Sequence, residues 1–316
     1  MGDLAGAGAE LTVLRLRRFA EPETRHVDSG GVAIGYQVAG SGAPDVVVSP
    51  PLVSTIARVW RWPWIETVFR RVAERHRLVI YDKRGMGTSD RTVPPAPLEL
   101  ALEDMGTVMD AAGSERAVIF SISEGAPLAL LFAATFPERT LALILFGGSA
   151  RVLEAPDYPW GRAPGAGPPA LQALRHVFEG PRRQAAELIT WIGNLSQKDR
   201  RRFVDGIRAS SDFATAEASV LLARSVDVRS VLPDLDVPTL LIHGQADTQI
   251  PIGAARYLED QIRGSRLLEL PGERHLPTGT ALARVLDEMD DFLARIAIRE
   301  SARGPTGTRE VQGRTE

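Results

Sequence analysis

The stretch Ala117-Val118-Ile119-Phe120-Ser121-Ile122-Ser123-Glu124-Gly125-Ala126-Pro127 decides how this chain is read. An apolar, β-branched run from Ala117 to Phe120 stands ahead of Ser123, and a helix-forming run from Pro127 to Ala134 follows it. The stretch is therefore a sharp strand-to-helix turn with Ser123 at its tip. Such a turn holds its tip residue in strained backbone geometry and needs small residues two positions to either side, which gives the pattern Gly-x-Ser-x-Gly of a nucleophile elbow. Gly125 supplies the second small residue and Ser121 stands in place of the first. Taken alone, a serine two residues before a glycine is a common coincidence, so the weight falls on what surrounds Ser123.

Outward from the turn the chain alternates between two patterns. Val46 to Val48 and Leu78 to Tyr81 are short, wholly apolar runs, as in strands buried on both faces, and Leu141 to Phe146 follows the elbow helix in the same way. Helical stretches from about Ile65 to Arg75 and from about Glu99 to Ala112 lie between them. Before them, His26 to Val38 reads as strands around the Ser29-Gly30-Gly31 turn. After position 238, a strand (Thr239 to His243), a helix (Gly253 to Ile262), a strand (Leu267 to Leu270) and an amphipathic helix (Thr280 to Ile298) complete the series. Alternating strands and helices predict an α/β fold: a doubly wound, mostly parallel sheet covered on both faces.

The expected organisation is a flexible leader over residues 1–25, in which residues 11–16 are apolar enough to dock, and a core over residues 26–148 and 236–298. A helical cap insert occupies residues 149–235 and a flexible tail residues 299–316. The insert opens on a Pro/Gly-rich loop and carries Trp191, Phe203 and Phe213, expected mostly in its own core while its apolar face walls a pocket.

Composition narrows the function. A chain of 316 residues with 44% hydrophobic content can bury a full core. The net charge of -3 is dispersed, with no long block of one sign, so neither nucleic acid nor an anionic membrane is an expected partner. The absence of cysteine excludes disulfides, thiolate metal sites and a cysteine nucleophile. No cofactor and no metal are called for, and cytoplasmic localisation is the default expectation. A homo-oligomer is compatible with the sequence.

A serine hydroxyl needs a base within hydrogen-bond reach and a carboxylate that fixes the base's tautomer. In doubly wound hydrolases these follow in the order Ser, Asp, His. Asp247 lies just past the strand Thr239 to His243, and His275 just past Leu267 to Leu270. The other histidines, His26, His76, His176 and His243, fall near the leader, at a helix end, in the insert and inside a strand. Ser123, Asp247 and His275 are the candidate catalytic residues.

These segments, with Asp82-Lys83-Arg84-Gly85-Met86-Gly87-Thr88-Ser89, resemble the α/β-hydrolase fold over roughly residues 26–298. More narrowly, residues 109–117 and 123–140 resemble the hydrolase module that precedes class III adenylate/guanylate cyclase domains in some bacterial proteins. The tail at residues 305–310 is similar to the linker that leads into such a domain.

The resemblance implies an oxyanion hole made by two backbone N–H groups, those of Glu124 and of a residue in the loop after the third strand. Pro50 and Pro51 stand where many relatives have His-Gly, and proline has no N–H, which leaves Leu52 as the second donor. Glu124 is placed to meet the positive end of the elbow helix; a sharper reading turns its carboxylate into the site, where it disfavours anionic substrates. The resemblance implies a serine hydrolase, carboxylesterase-like, acting on a small, uncharged, modestly apolar ester. Lactone, thioester and carbon–carbon bond hydrolysis, perhydrolysis and acyl transfer use the same three residues, and a ligand-sensing module without turnover is the rival from another class. Serine at 123 excludes an aspartate nucleophile. Gly85 and Gly87 form a structural turn, not a phosphate cradle, because no Lys-Ser/Thr pair ends the segment.

Overall fold

The computed structural model describes residues 20–53, 55–163 and 167–303. The docking segment expected at 11–16 and the linker-like residues 305–310 lie outside these. Eight strands form one sheet in the order β1-β2-β4-β3-β5-β6-β7-β8. β1 (Arg25–Ser29) and β2 (Val32–Ala39) form an antiparallel hairpin through Gly30 and Gly31, and β2 also runs antiparallel to β4 (Arg77–Tyr81). Every other neighbouring pair is parallel: β3 (Asp45–Ser49), β5 (Ala117–Ile122), β6 (Thr140–Phe146), β7 (Thr239–Gly244) and β8 (Arg266–Leu270).

The two-residue period of the buried strands sorts their side chains onto two faces. Val118 and Phe120 on β5, with Ile144 and Phe146 on β6, pack with Val68 and Phe69 of α2 (Pro63–Ala73) and with Leu293 and Ile296 of α10 (Gly279–Arg303). Ala117 and Ile119, with Leu143 and Leu145, face the other layer. There they meet Met105 and Met109 of α3 (Leu98–Ala111), Leu130 and Phe132 of α4 (Ala126–Thr135) and Leu258 of α9 (Ile252–Gln261). The result is the doubly wound, mostly parallel α/β sheet that the strand runs predict.

Two expected boundaries shift. Strand pairing starts at Arg25, inside the expected leader. At the other end α10 continues to Arg303, five residues into the expected tail. Ala, Arg and Glu carry the helix on, Glu300 binds Arg116 at 2.7 Å, and no helix breaker precedes Gly304. A short α1 (Ile56–Val59), capped by Thr55, was not anticipated.

Between β6 and β7 the chain forms α5 (Gly167–Glu179), α6 (Arg182–Leu188), α7 (Gln197–Ser210) and α8 (Phe213–Ser225). α5, α6 and α7 share a small core of Val177, Ala185, Ile189, Val204 and Ile207. The same helices close over loops that leave the carboxyl ends of the strands, so core and insert residues line one cavity.

Candidate active site

Ser123 is the only non-glycine residue with positive φ among the described residues, at 56°. That is the strained conformation demanded by a turn from β5 directly into a 3-10 turn (Ser123–Gly125) and then α4. Gly125 is obligatory, because a Cβ there would stand 2.5 Å from the Ser49 carbonyl oxygen and 2.8 Å from that of Pro50. Ser49 Oγ also donates to the Gly125 carbonyl at 2.8 Å. The elbow is thus pressed against the loop after β3, which brings Leu52 and Glu124 to the same cavity wall as Ser123. Ser121, at the other small position, is fully buried, and its hydroxyl has no hydrogen-bond partner.

Asp247 and His275 come from the loops after β7 and β8 and meet: His275 Nδ1 lies 2.6 Å from Asp247 Oδ2. An ionised carboxylate only accepts, so Nδ1 carries the proton and Nε2 keeps its lone pair. The other carboxylate oxygen accepts from the backbone N–H groups of Gln249 (2.8 Å) and Ile250 (3.2 Å). Burial alone would raise the Asp247 pKa, but the hydrogen bond and charge of His275 and the backbone donors outweigh it and hold the carboxyl below its usual range. Gly147, with φ 57°, leaves room for the imidazole, since a Cβ there would reach 3.1 Å from His275 Cε1. Trp191 lies with its ring centroid 6.0 Å from that of His275.

His243, which the sequence places inside a strand, is a second neighbour of Asp247. It is buried in β7, with Nε2 2.7 Å from the Ile250 carbonyl oxygen and 3.5 Å from Asp247 Oδ2. Burial pushes its pKa down, so it is a neutral donor to that carbonyl and braces the Asp247 loop. The period of β7 signals only that His243 is buried, not that it faces a carboxylate four residues on.

The serine hydroxyl does not point as the sequence implies. Ser123 Oγ donates to Glu124 Oε2 at 2.6 Å and makes no hydrogen bond to His275 in this conformation. A carboxylate one residue away is a stronger acceptor than an imidazole nitrogen, and in this conformation it holds the hydroxyl. Reaching His275 requires a rotation of the Ser123 side chain. Glu124 therefore turns its carboxylate into the site besides starting the elbow helix.

Lys83 is a further residue that the sequence does not single out. Its ammonium donates to the Leu52 carbonyl at 2.7 Å and so ties down the loop that carries the candidate N–H donor. Burial lowers its pKa to about 8, against the opposing pull of Glu124 and Asp82. The Gly85/Gly87 turn is filled by its own aspartate. Asp82 accepts from the N–H groups of Ile56 (2.9 Å) and Thr88 (2.7 Å), and a Cβ on Gly87 would fall 2.1 Å from Asp82 Oδ2. That leaves no donors for a phosphate.

The cavity has a volume of about 370 Å³. Trp62, Ile65, Val177, Ile189, Trp191 and Phe203 make its walls largely apolar, and Ser123, Glu124 and His275 stand at its floor. Trp191 and Phe203 both line it, and Phe203 packs at once on the insert's small core and on Trp62 of the sheet domain, at 4.8 Å. Phe213 stays within the insert, against Phe178. Among the described residues no group of acidic or histidine side chains is placed to hold a metal ion, and no helix is long and apolar enough to cross a membrane.

The family model described as alpha/beta hydrolase fold matches residues 52–280. The chain belongs to that family. It is 26% identical over 249 residues to the mouse (Mus musculus) serine hydrolase BPHL, which covers 78% of this chain and 77% of that protein. To the pimeloyl-[acyl-carrier protein] methyl ester esterase of Pectobacterium atrosepticum it is also 26% identical, over 78% of this chain and 92% of the other. The enol-lactonase of Burkholderia xenovorans superposes with a TM-score of 0.68 at 22% identity, over 85% of this chain and all of that one. As a member of the family, this alpha/beta hydrolase is a hydrolytic enzyme.

Proposed function

We propose that this alpha/beta hydrolase is a serine carboxylesterase for small, uncharged, modestly apolar esters. The observation that carries the reading is the pairing of His275 with Asp247 on the floor of an apolar cavity that also holds Ser123 in its strained turn. In the proposed sequence Ser123 rotates from Glu124 towards His275, whose Nε2 takes the hydroxyl proton as Oγ attacks the ester carbonyl. Asp247 holds the imidazolium that results. The N–H groups of Leu52 and Glu124 bind the oxyanion, each contributing about 3 kcal/mol in the transition state. His275 then protonates the departing alcohol, and water, deprotonated by the same nitrogen, releases the acid. The esterase and lactonase names of relatives support a carbonyl substrate with an oxygen leaving group.

The test is hydrolysis of p-nitrophenyl esters of increasing acyl length, wild type beside Ser123→Ala. Turnover by the wild type, lost by at least about 10³-fold in the variant, is the expected result; equal turnover by both proteins sinks the assignment. A sensing role, suggested by the resemblance to modules in front of cyclase domains, is favoured by one observation, the engagement of the Ser123 hydroxyl by Glu124. It predicts ligand-induced thermal stabilisation with no turnover of esters, thioesters or lactones.

A further inference from the structure

The opening stretch of the insert, after β6, is pinned against the loop that carries Asp247. It folds back on itself: the Arg162 N–H donates to the Val152 carbonyl at 2.8 Å, and the Arg162 carbonyl accepts from the Glu154 N–H at 3.1 Å. Tyr158 and Trp160 press the same stretch onto Ile250 and onto Ala254 of α9. Trp160 lies so close to the start of α9 that no Cβ would fit on Gly253. Arg162 is thereby carried, half-buried, to the cavity wall beside Gln249.

The guanidinium spends its charge on neutral acceptors. Among the described residues no carboxylate stands within ion-pair distance of it. Its Nη2 donates to both acceptors of a single residue, the Gln249 side-chain Oε1 at 2.7 Å and the Gln249 carbonyl at 3.3 Å. That carbonyl belongs to the peptide whose N–H, on Ile250, donates to Asp247 Oδ1 at 3.2 Å. One peptide group therefore stands between guanidinium and carboxylate, with its oxygen on the cation and its hydrogen on the anion. A cation on the oxygen polarises such a group and makes its N–H a better donor, and the two bonds together fix the plane of the peptide. The next carbonyl, that of Ile250, is held by His243 from the strand side. With both held, Asp247 Oδ1 keeps its two backbone donors and Oδ2 stays aimed at His275 Nδ1.

We propose that Arg162 is a positioning residue for the triad: through the Gln249–Ile250 peptide it holds Asp247 in the orientation that fixes the tautomer of His275. This rests on the hydrolase reading and deepens it, because it ties the triad's carboxylate to the insert that walls the cavity. Arg162 touches no reacting atom in this role. Loss of its two bonds to Gln249 frees the peptide to tilt, and the carboxylate turns with it.

The experiment reads the ring nitrogens of His275 by NMR in protein with isotope-labelled histidine, at about pH 8.5, where an imidazole is neutral, and uses His275→Gln to assign the signals. Wild type should show one tautomer, with the proton on Nδ1. In Arg162→Met the signals should move towards the average of the two tautomers. Arg162→Lys keeps a cation with donors and should restore much of the wild-type pattern. On a short neutral p-nitrophenyl ester, Arg162→Met should lower kcat by about tenfold with KM changed by less than about threefold. Gln249→Ala removes one of the two acceptors and should move both readouts the same way by less, which decides the matter if Arg162→Met fails to fold. A His275 proton that stays fixed on Nδ1 in the folded variants, or mixed tautomers already in wild type, overturns the proposal. So does a rise in KM confined to esters that carry a carboxylate, which would make Arg162 a contact of the substrate. The tautomer is read without turnover, so an inactive wild type whose tautomer depends on Arg162 would sink the hydrolase reading and leave the tie to Asp247 in place.

Discussion

At the scale of single residues, the site depends on side chains that hold its parts without touching the reaction. Lys83 reaches the Leu52 carbonyl through its four-carbon stem, and a methionine of similar length would fill the space but lose the bond. Lys83→Met should lower kcat by about tenfold with little change in KM, because the proposed oxyanion donor Leu52 is then poorly placed. Single-turnover kinetics would separate the two. Its titration adds a signature of stability. Burial brings the folded-state pKa down from 10.5 to about 8, so in the window between them the unfolded chain binds the proton and the folded chain does not. Stability rises with pH wherever the unfolded state binds more protons. Urea denaturation at about pH 7 and about pH 9.5 should therefore show wild type gaining on Lys83→Met at the higher pH. A constant difference would mean that Lys83 titrates as in water.

At the scale of elements, the loops after strands carry the candidate catalytic residues, and glycines decide how closely they approach. Gly147 ends β6 with positive φ directly beneath the imidazole. An alanine there adds about 1–2 kcal/mol of backbone strain and places a methyl group 3.1 Å from His275 Cε1. Because the His275 ring is also held by Asp247, it has to tilt, and a displacement near 1 Å costs up to about 10²-fold in rate. Gly147→Ala should fold with a slightly lowered melting temperature and lose most of its kcat; unimpaired turnover would remove His275 from the reaction. Strands and post-strand loops were legible in the sequence because buried parallel strands are continuous apolar runs and the order Ser, Asp, His is a statement about chain order. Gly147, His243 and Lys83 were not, because their importance arises from neighbours 128, 4 and 31 residues away in Leu276's predecessor His275, in Asp247 and in Leu52. The insert's aromatics were legible only in part: the sequence indicates that they pack in the insert and wall a pocket, but not that Phe203 also meets Trp62 and Trp191 lies beside His275.

At the scale of the whole molecule, the sheet is continuous but its two ends are built differently. The antiparallel hairpin β1-β2 joins the parallel core through the β2–β4 ladder, and the end of β1 is anchored on a buried ion pair. Arg84, in the loop after β4, meets Asp104 on α3 at 2.8 Å and 2.5 Å, and Ser29 at the end of β1 donates to the same carboxylate at 2.7 Å. Both charged side chains are nearly closed to solvent, at 8% and 3% exposure, so neither can be hydrated if its partner is lost. Removing one charge from such a pair costs about 3–5 kcal/mol, whereas replacing both with apolar groups of similar volume is often neutral. Arg84→Met alone should therefore destabilise by about 3–5 kcal/mol in urea denaturation. Arg84→Met with Asp104→Leu should recover most of that loss, and the coupling is read from the double-mutant cycle. The same loop runs from Asp82 through Lys83 to Arg84, so loosening it also releases Leu52, and the single variant should lose activity at temperatures below its melting transition. Activity that tracked only the folded fraction would mean that the tie holds the hairpin and leaves the Leu52 loop to Lys83.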